Sequence, residues 1–224
     1  MSGYAVVDVE ATGRSPWRHR VVEVAVVQLD AGLRAEREFV TLVDPAGPVG
    51  PTHVHGIAQE DVAGAPRFRQ IAPWLLELLA GRALVGHHVT CDRAFLEREF
   101  ARIGVVLPPV PLLCTMRMAR RLLPDAGGFG LSACVEAAGL GWFPAHTALG
   151  DARATVELLR HCSRSGQAAA EPPVGSAVPW PRLAPARSTR AHGEVPLLRR
   201  VAPLGPWPAG VEGPRALIGA AGYE

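Results

Sequence analysis

Apolar residues along this chain change periodicity several times, and the changes mark out the elements. Three Val-rich runs near the amino end, residues 4–8, 21–29 and 36–43, read as successive strands joined by polar turns. The middle run, Val21-Val22-Glu23-Val24-Ala25-Val26-Val27, is nearly continuous apolar, as expected of a central strand. Over residues 67–80 the period lengthens, with Phe68, Ile71, Leu75, Leu78 and Leu79 recurring at helical spacing. A strand at 83–86, a helix at 91–103, a strand near 112–114 and a helix at 115–122 follow. Helices at 131–138 and 150–162 close the pattern. Three strands followed by alternating helices and strands predict an α/β domain, a mixed five-stranded sheet flanked by helices.

From about Arg164 the periodicity is lost. The run Ala168-Ala169-Ala170-Glu171-Pro172-Pro173 opens a stretch dense in Pro, Gly, Ala and Arg, which predicts a disordered or extended tail. The chain therefore divides into a domain over 1–163 and a tail over 164–224. Charge divides at the same place: 16 Arg face 17 acids in the first part, net −1, and 7 Arg face 4 acids in the second, net +3. The domain is no basic sponge, and its general affinity for nucleic acid is expected to be modest. Apolar islands in the tail, Val195-Pro196-Leu197-Leu198 and Ala216-Leu217-Ile218, read either as incidental residues of a tethering linker or as docking segments that order on a partner.

Composition excludes several chemistries. The chain has no Lys and no Asn, so all 23 basic side chains are Arg. A Walker-type phosphate loop, Schiff-base lysine chemistry and Asn-linked glycosylation are thereby absent. Gly127-Gly128-Phe129-Gly130 follows no strand and reads as a loop rather than a dinucleotide fingerprint. Cys91, Cys114, Cys134 and Cys162 are scattered singly, with no Cys-x-x-Cys pair for zinc, and are expected to be buried free thiols in a reducing compartment. With no charged-then-apolar leader and no apolar stretch of membrane-spanning length, the expected location is the cytoplasm, away from membranes.

The acids carry the candidate chemistry. Asp8 and Glu10 end the run Tyr4-Ala5-Val6-Val7-Asp8-Val9-Glu10, and residues two apart on a strand point to the same face. Two carboxylates projecting together from a buried strand raise each other's cost of ionisation, and a hard divalent cation makes such a pair tolerable. A solvated strand end is the plainer alternative. Asp92 and Asp151 each begin a helical pattern, where a lone acid would serve to stabilise the first turn. His146 stands five residues before Asp151.

Taken together, Asp8, Glu10, Asp92, His146 and Asp151 resemble, in order and context, the three exonuclease motifs of the DEDDh family of 3′–5′ exonucleases. These DnaQ-like enzymes include the proofreading epsilon subunit of bacterial DNA polymerase III, oligoribonuclease and the tRNA-trimming RNases. The resemblance covers roughly the first three quarters of the chain. Val54-His55-Gly56-Ile57, followed by Glu60-Asp61-Val62, is similar to the family's His-Gly-Ile segment ahead of a short helix. Cys114-Thr115-Met116-Arg117-Met118-Ala119-Arg120 is similar to its Asp-Thr-x-x-x-Ala-Arg segment, with Cys114 where an Asp is usual. The resemblance implies an RNase H-like fold, metal ligation by Asp8, Glu10 and Asp151 with Asp92 completing a second metal site, and His146 as general base. Two further departures bear on the substrate side: the family's His-Asn pair reads His87-His88, and the Thr after its first Glu is Ala11.

The implied chemistry is physically coherent. A phosphodiester repels nucleophiles, and two cations about 3.5–4 Å apart can activate a water, neutralise the phosphate and stabilise the leaving oxygen. All-oxygen ligation suits Mg²⁺ or Mn²⁺, two ions per site, rather than Zn²⁺. A neutral imidazole can accept the water's proton at physiological pH. On the substrate side the candidates are Thr12, Arg14, Trp17, His55 and His88. Arg14 is placed to meet the phosphate backbone, and Trp17 to stack a base. The expected function is hydrolysis of single-stranded DNA 3′ ends to nucleoside 5′-monophosphates, in proofreading or repair, with a DNA polymerase subunit as partner through the tail. The alternatives are an exoribonuclease of the oligoribonuclease or RNase T type, and a catalytically silent polymerase-binding subunit.

Overall fold

The computed structural model describes residues 3–164 and 179–184, together with the backbone of 199–200. Strands β1 (Tyr4–Ala11), β2 (Val21–Leu29) and β3 (Ala35–Leu42) form an antiparallel meander. Strands β4 (Ala83–Gly86) and β5 (Leu112–Cys114) add in parallel on the other side of β1. The result is the mixed five-stranded sheet expected from the sequence, in the order β5-β4-β1-β2-β3. A two-residue strand β6 (Arg199–Arg200) pairs antiparallel with Arg37 and Glu38 at the β3 edge.

Alternation along the strands divides the core between the two faces of the sheet. Ala5, Val7, Val24, Val26 and Phe39 pack with helices α2 (Phe68–Leu79) and α3 (Val89–Arg102). Tyr4, Val6, Ala25 and Val27 pack with helix α6 (Ala148–Arg164), through Ala148, Ala152, Val156 and Leu159. Small residues on that helix face let it lie close to the sheet. Helices α4 (Thr115–Leu122) and α5 (Leu131–Ala137) cover the outer side of α6 around Ala119, Cys134, Leu158 and Cys162. Among the described residues no helix is long and apolar enough to cross a membrane.

Some boundaries differ from those read in the sequence. Strand β1 runs to Ala11 rather than stopping at 8, because its ladder with β2 continues past the acids: Glu10 opposes Glu23 and Ala11 opposes Val21, with a bulge between. Where the resemblance implied a short helix after Ile57, residues 59–64 are consecutive turns. Their amides bond three residues back, Asp61 N–H to Ala58 O at 3.2 Å and Ala63 N–H to Glu60 O at 3.1 Å. The Asp61 carboxylate takes the Ala58 N–H at 2.7 Å, a local bond that competes with helix, and Gly64 ends the run at φ +82°. The one-turn helix α1 (Thr52–His55) lies earlier and is closed by Gly56 in the left-handed region.

All four cysteines are free; Cys134 and Cys162 are buried as expected, but Cys114 is only half-buried and Cys91, in the first turn of α3, is exposed. In the tail, Trp180 and Leu183 pack against the core cluster of α2 and α3. The expected disorder otherwise concerns residues outside those described, as do the islands at 195–198 and 216–218.

Cys114 occupies the N-cap position of α4, with extended backbone and no side-chain bond to the first turn. An Asp there, as in the family's segment, would accept one of the open N–H groups. Cys114→Asp is expected to stabilise the protein by about 1 kcal/mol, raising Tm by about 2–4 °C in thermal unfolding followed by circular dichroism. A lower Tm would mean that the thiol's packing, not the cap, decides this position.

Candidate functional site

The site forms where β1 outruns β4. Val6 is the last β1 residue paired with β4, so beyond it that edge of β1 is open. Asp8 and Glu10 project from this stretch on the face of Tyr4 and Val6, the face that α6 covers. The first turn of α6 brings Asp151 to them. One carboxylate oxygen from each of Asp8, Glu10 and Asp151 lies within 4.8 Å of the other two. Asp92, in the first turn of α3, enters from the open edge, where its Oδ1 accepts the Val9 N–H at 3.3 Å in place of a strand partner. Its other oxygen reaches Gly86 so closely that a Cβ there would sit 3.1 Å from it.

Burial and like charge act together on these groups. Burial first, then the charges of Asp92, Asp151, Glu10 and Glu23, push the Asp8 carboxyl well above its ordinary value. Glu10 is pushed up to about 8, mainly by burial, with Asp151, Glu23 and Asp92 adding. Asp92 and Asp151 are each raised to about 7 by burial, against the lowering effect of the backbone N–H groups they accept. Four carboxylates that resist ionisation together, all with oxygen donors, fit a hard divalent cation.

Glu23 is a fifth acid that the sequence reading passed over as part of an apolar strand. It opposes Glu10 in the β1–β2 register, and its Oε2 accepts the Ala148 N–H at 2.8 Å. It thus satisfies the first amide of α6 from the neighbouring strand on the same face, while the Thr147 hydroxyl caps the Gly150 N–H at 3.2 Å. A lone acid inside a central strand was the available signal.

His146 sits on the loop that leads into α6, exposed and in the left-handed region at φ +62°. Its backbone N–H donates to Asp151 Oδ1 at 3.3 Å. The loop folds tightly over the helix start. Thr147 Oγ1 donates to Pro144 O at 2.9 Å, and a Cβ on Gly150 would lie 2.1 Å from that carbonyl. Only glycine fits at 150, and the lack of a side chain there lets Pro144 and Thr147 close over the helix start.

The remaining candidates fall into three settings. Thr12 closes the base of the β1–β2 loop, its hydroxyl accepting the Arg20 N–H at 3.0 Å, and that loop carries Arg14 and Trp17 on its exposed side. His55 is buried; its Nδ1 accepts the Ile57 N–H at 3.0 Å, its Nε2 has no well-formed partner, and burial lowers its pKa, partly offset by the Val49 backbone. Gly50 holds this segment against Thr12, since a Cβ there would meet the Thr12 carbonyl oxygen at 2.3 Å. His88 is exposed, in the left-handed region at φ +76°, at the N-cap of α3. Its neighbour His87, in contrast, is a structural clasp, bonded to Thr115 Oγ1 at 3.0 Å and to Phe129 O at 2.8 Å.

The sequence matches the family described as "Exonuclease" over residues 5–159. DNA polymerase III subunit epsilon of Aquifex aeolicus is 30% identical over 158 residues, covering 70% of this chain and 78% of the relative. A PolC-type DNA polymerase III of Clostridium perfringens is 31% identical over 159 residues, 70% of this chain but 11% of the relative. E. coli exonuclease I in complex with a dT13 oligonucleotide shares the fold, with a TM-score of 0.63 at 17% identity, over 73% of this chain and 41% of that one. The chain thus spans a small part of the longer relatives and most of the epsilon subunit. Family match, sheet order and acid cluster agree: this chain belongs to the exonuclease family, as an RNase H-like exonuclease of the DEDD type.

Proposed function

We propose that this protein is a metal-dependent 3′–5′ exonuclease that releases nucleoside 5′-monophosphates from single-stranded DNA, in proofreading or repair. The observation that carries the reading is the convergence of Asp8, Glu10 and Asp151 oxygens within 4.8 Å, with Asp92 beside them. Asp8, Glu10 and Asp151 would hold one divalent cation, Mg²⁺ or Mn²⁺, and Asp92 would complete a second position. When bound, such ions supply activation of water and neutralisation of the phosphate. A ring nitrogen of His146 takes the proton from the attacking water. Thr12, His55 and His88 border the terminal nucleotide, and Arg14 and Trp17 meet the strand behind it. The likeness to an epsilon subunit extends the proposal to a polymerase subunit as partner, reached through the tail.

On 5′-labelled single strands of one sequence as DNA and as RNA, Mg²⁺ or Mn²⁺ is expected to give a ladder shortening from the 3′ end, faster on DNA, and EDTA none. Asp8→Ala and Asp151→Ala should each lower the rate on the order of a thousandfold or more while the protein stays folded. Full activity in either variant removes the metal assignment, and faster cleavage of RNA changes the substrate class.

Glu23 gives a sharper variant pair. Glu23→Gln keeps an acceptor oxygen for the Ala148 N–H and is expected to cleave within about threefold of the parent. Glu23→Ala leaves that amide open and should lose about 10–100-fold, the usual effect of removing a residue that orients a metal ligand. Equal loss in both would show that the charge, not the bond, matters.

The raised acid pKa values also fix a pH dependence. In the unfolded chain these groups titrate at about 4, whereas Asp92 and Asp151 are held at about 7 and Glu10 at about 8 in the fold. Between those limits the folded state binds more protons, so the metal-free protein loses stability as pH rises from about 4 to about 8. Its Tm should fall by at least about 5 °C between pH 5 and pH 8, with Mg²⁺ restoring most of the loss at pH 8. A Tm that is flat or rises over this range, measured in EDTA, contradicts the raised values.

A further inference from the structure

The loop from Thr12 to Arg20 leaves the site two residues after Glu10 and is held with unusual rigidity for an exposed turn. Thr12 and Arg20 close its base, with Thr12 N–H to Arg20 O at 2.8 Å. A buried carboxylate on α3, Glu99, then ties it down. Glu99 is 1% exposed and accepts a bidentate pair from Arg20, at 2.7 and 2.9 Å, together with the Val21 N–H at 3.2 Å. Arg102 adds a third cationic bond to Glu99 at 3.2 Å, and its other terminal nitrogen reaches the carbonyls of Pro16, Trp17 and His19. Burying a carboxylate destabilises the fold unless it is fully matched, and here the matching groups all belong to the loop or to its anchor.

What this anchoring presents is Trp17. Its side chain is 69% exposed, so burial in the core does not explain it. The guanidinium of Arg98, one helical turn before Arg102 on α3, lies over the ring. The loop carries three Arg and no acid, whereas the rest of the domain, residues 1–163, has 13 Arg against 17 acids. A rigid indole backed by a planar cation, with further Arg beside it, is the chemistry that takes the face of an unpaired base and its phosphates.

Resting on the exonuclease reading above, we infer that Trp17 and Arg98 form a stacking platform for a base of the single strand two to three nucleotides behind the cleaved end. The spacing comes from α3, which carries both Asp92 and Arg98. Six residues of helix rise about 9 Å, and a stacked strand rises about 3.4 Å per nucleotide. Stacking on an indole tolerates every base, so the platform grades substrates by length and by strandedness rather than by sequence. A paired end, whose bases are covered on both faces, gains nothing from it.

The test compares oligothymidylates of two, three, four and six nucleotides, 5′-labelled, with Mg²⁺. In the parent protein kcat/KM should rise tenfold or more from the dinucleotide to the hexanucleotide, as expected for one stacked base. In Trp17→Ala that ratio should collapse towards one, in Arg98→Ala it should fall partly, and Trp17→Phe should restore most of it. An unchanged ratio in Trp17→Ala overturns the platform, and so does a loss that is equal at every length. Should the parent protein cleave none of the oligonucleotides, the exonuclease reading fails while the platform is still decided by binding. Fluorescence anisotropy of the labelled hexanucleotide in EDTA should then weaken about tenfold in Trp17→Ala, and equal binding by the two proteins overturns it.

Discussion

Carboxylates gathered in a recess repel one another and lose their hydration, and the domain is arranged around holding them there. Asp8 is the most constrained, with Asp92, Asp151, Glu10 and Glu23 all acting to raise its pKa in addition to burial. No flexible loop could hold such a group in place, since it would relax outward into water. Each acid is instead fixed by a rigid element: β1 for Asp8 and Glu10, β2 for Glu23, and the first turns of α3 and α6 for Asp92 and Asp151. Backbone amides then relieve part of the charge, from Val9, His146 and Ala148. Glycines at 86 and 150 allow the elements to approach closely enough for those bonds. The surrounding apolar layers of Val, Leu and Ala supply the stability that the acid cluster withdraws.

Helix α3 shows the same problem solved in two ways. Asp92 and Glu99 are seven residues apart, on one helix face, and both are buried. Each accepts a backbone N–H from a strand, Val9 on the open edge of β1 in one case and Val21 at the start of β2 in the other. Glu99 is neutralised within the fold by Arg20 and Arg102, so it serves as an anchor. Burial first, then the charge of Asp151, raises the Asp92 carboxyl to about 7, and among the described residues no cation neutralises it as Glu99 is neutralised. One helix therefore carries a finished ion pair and an unfinished one, about two turns apart. Only the unfinished one has carboxylate capacity left for a cation.

The fold was largely legible because its core follows simple periodicities. Val-rich runs, nearly continuous in β2, marked β1 to β3, and the 3.6-residue spacing of Phe68, Ile71, Leu75 and Leu79 marked α2. Boundaries were less legible where polar side chains interrupt a ladder that the backbone continues, as at Glu10 and Ala11. The segment after Ile57 became turns because a single local carboxylate bond outcompeted helix over a few residues. In the site, the acids were readable from their strand spacing and from the family resemblance. Glu23 was not, because within an apolar run it has no local pattern, and its role depends on an amide 125 residues away. The Glu99 anchor was hidden for the same reason: beyond Arg102 on its own helix, its partners Arg20 and Val21 lie 79 and 78 residues off in sequence.

Backbone conformation also accounts for a departure from the family's pattern. Position 88, where the motif this segment resembles has Asn, is held at φ +76° as the chain turns from β4 into α3. Apart from glycine, the residues that adopt this region most readily are Asn, Asp and His. In a chain that uses no Asn, Asp would place one more carboxylate four residues from Asp92, beside a cluster already pressed by like charge. Glycine would loosen the entry to the helix that positions Asp92. Histidine keeps the turn, adds no negative charge, and retains a ring that can donate or accept. The backbone requirement at position 88 is therefore met by an imidazole in place of an amide. The same left-handed geometry recurs at His146, at φ +62°, on the opposite approach to the acids. Two histidines thus stand at turns leading into the helices that carry Asp92 and Asp151, each fixed by a conformation that few other residues accept.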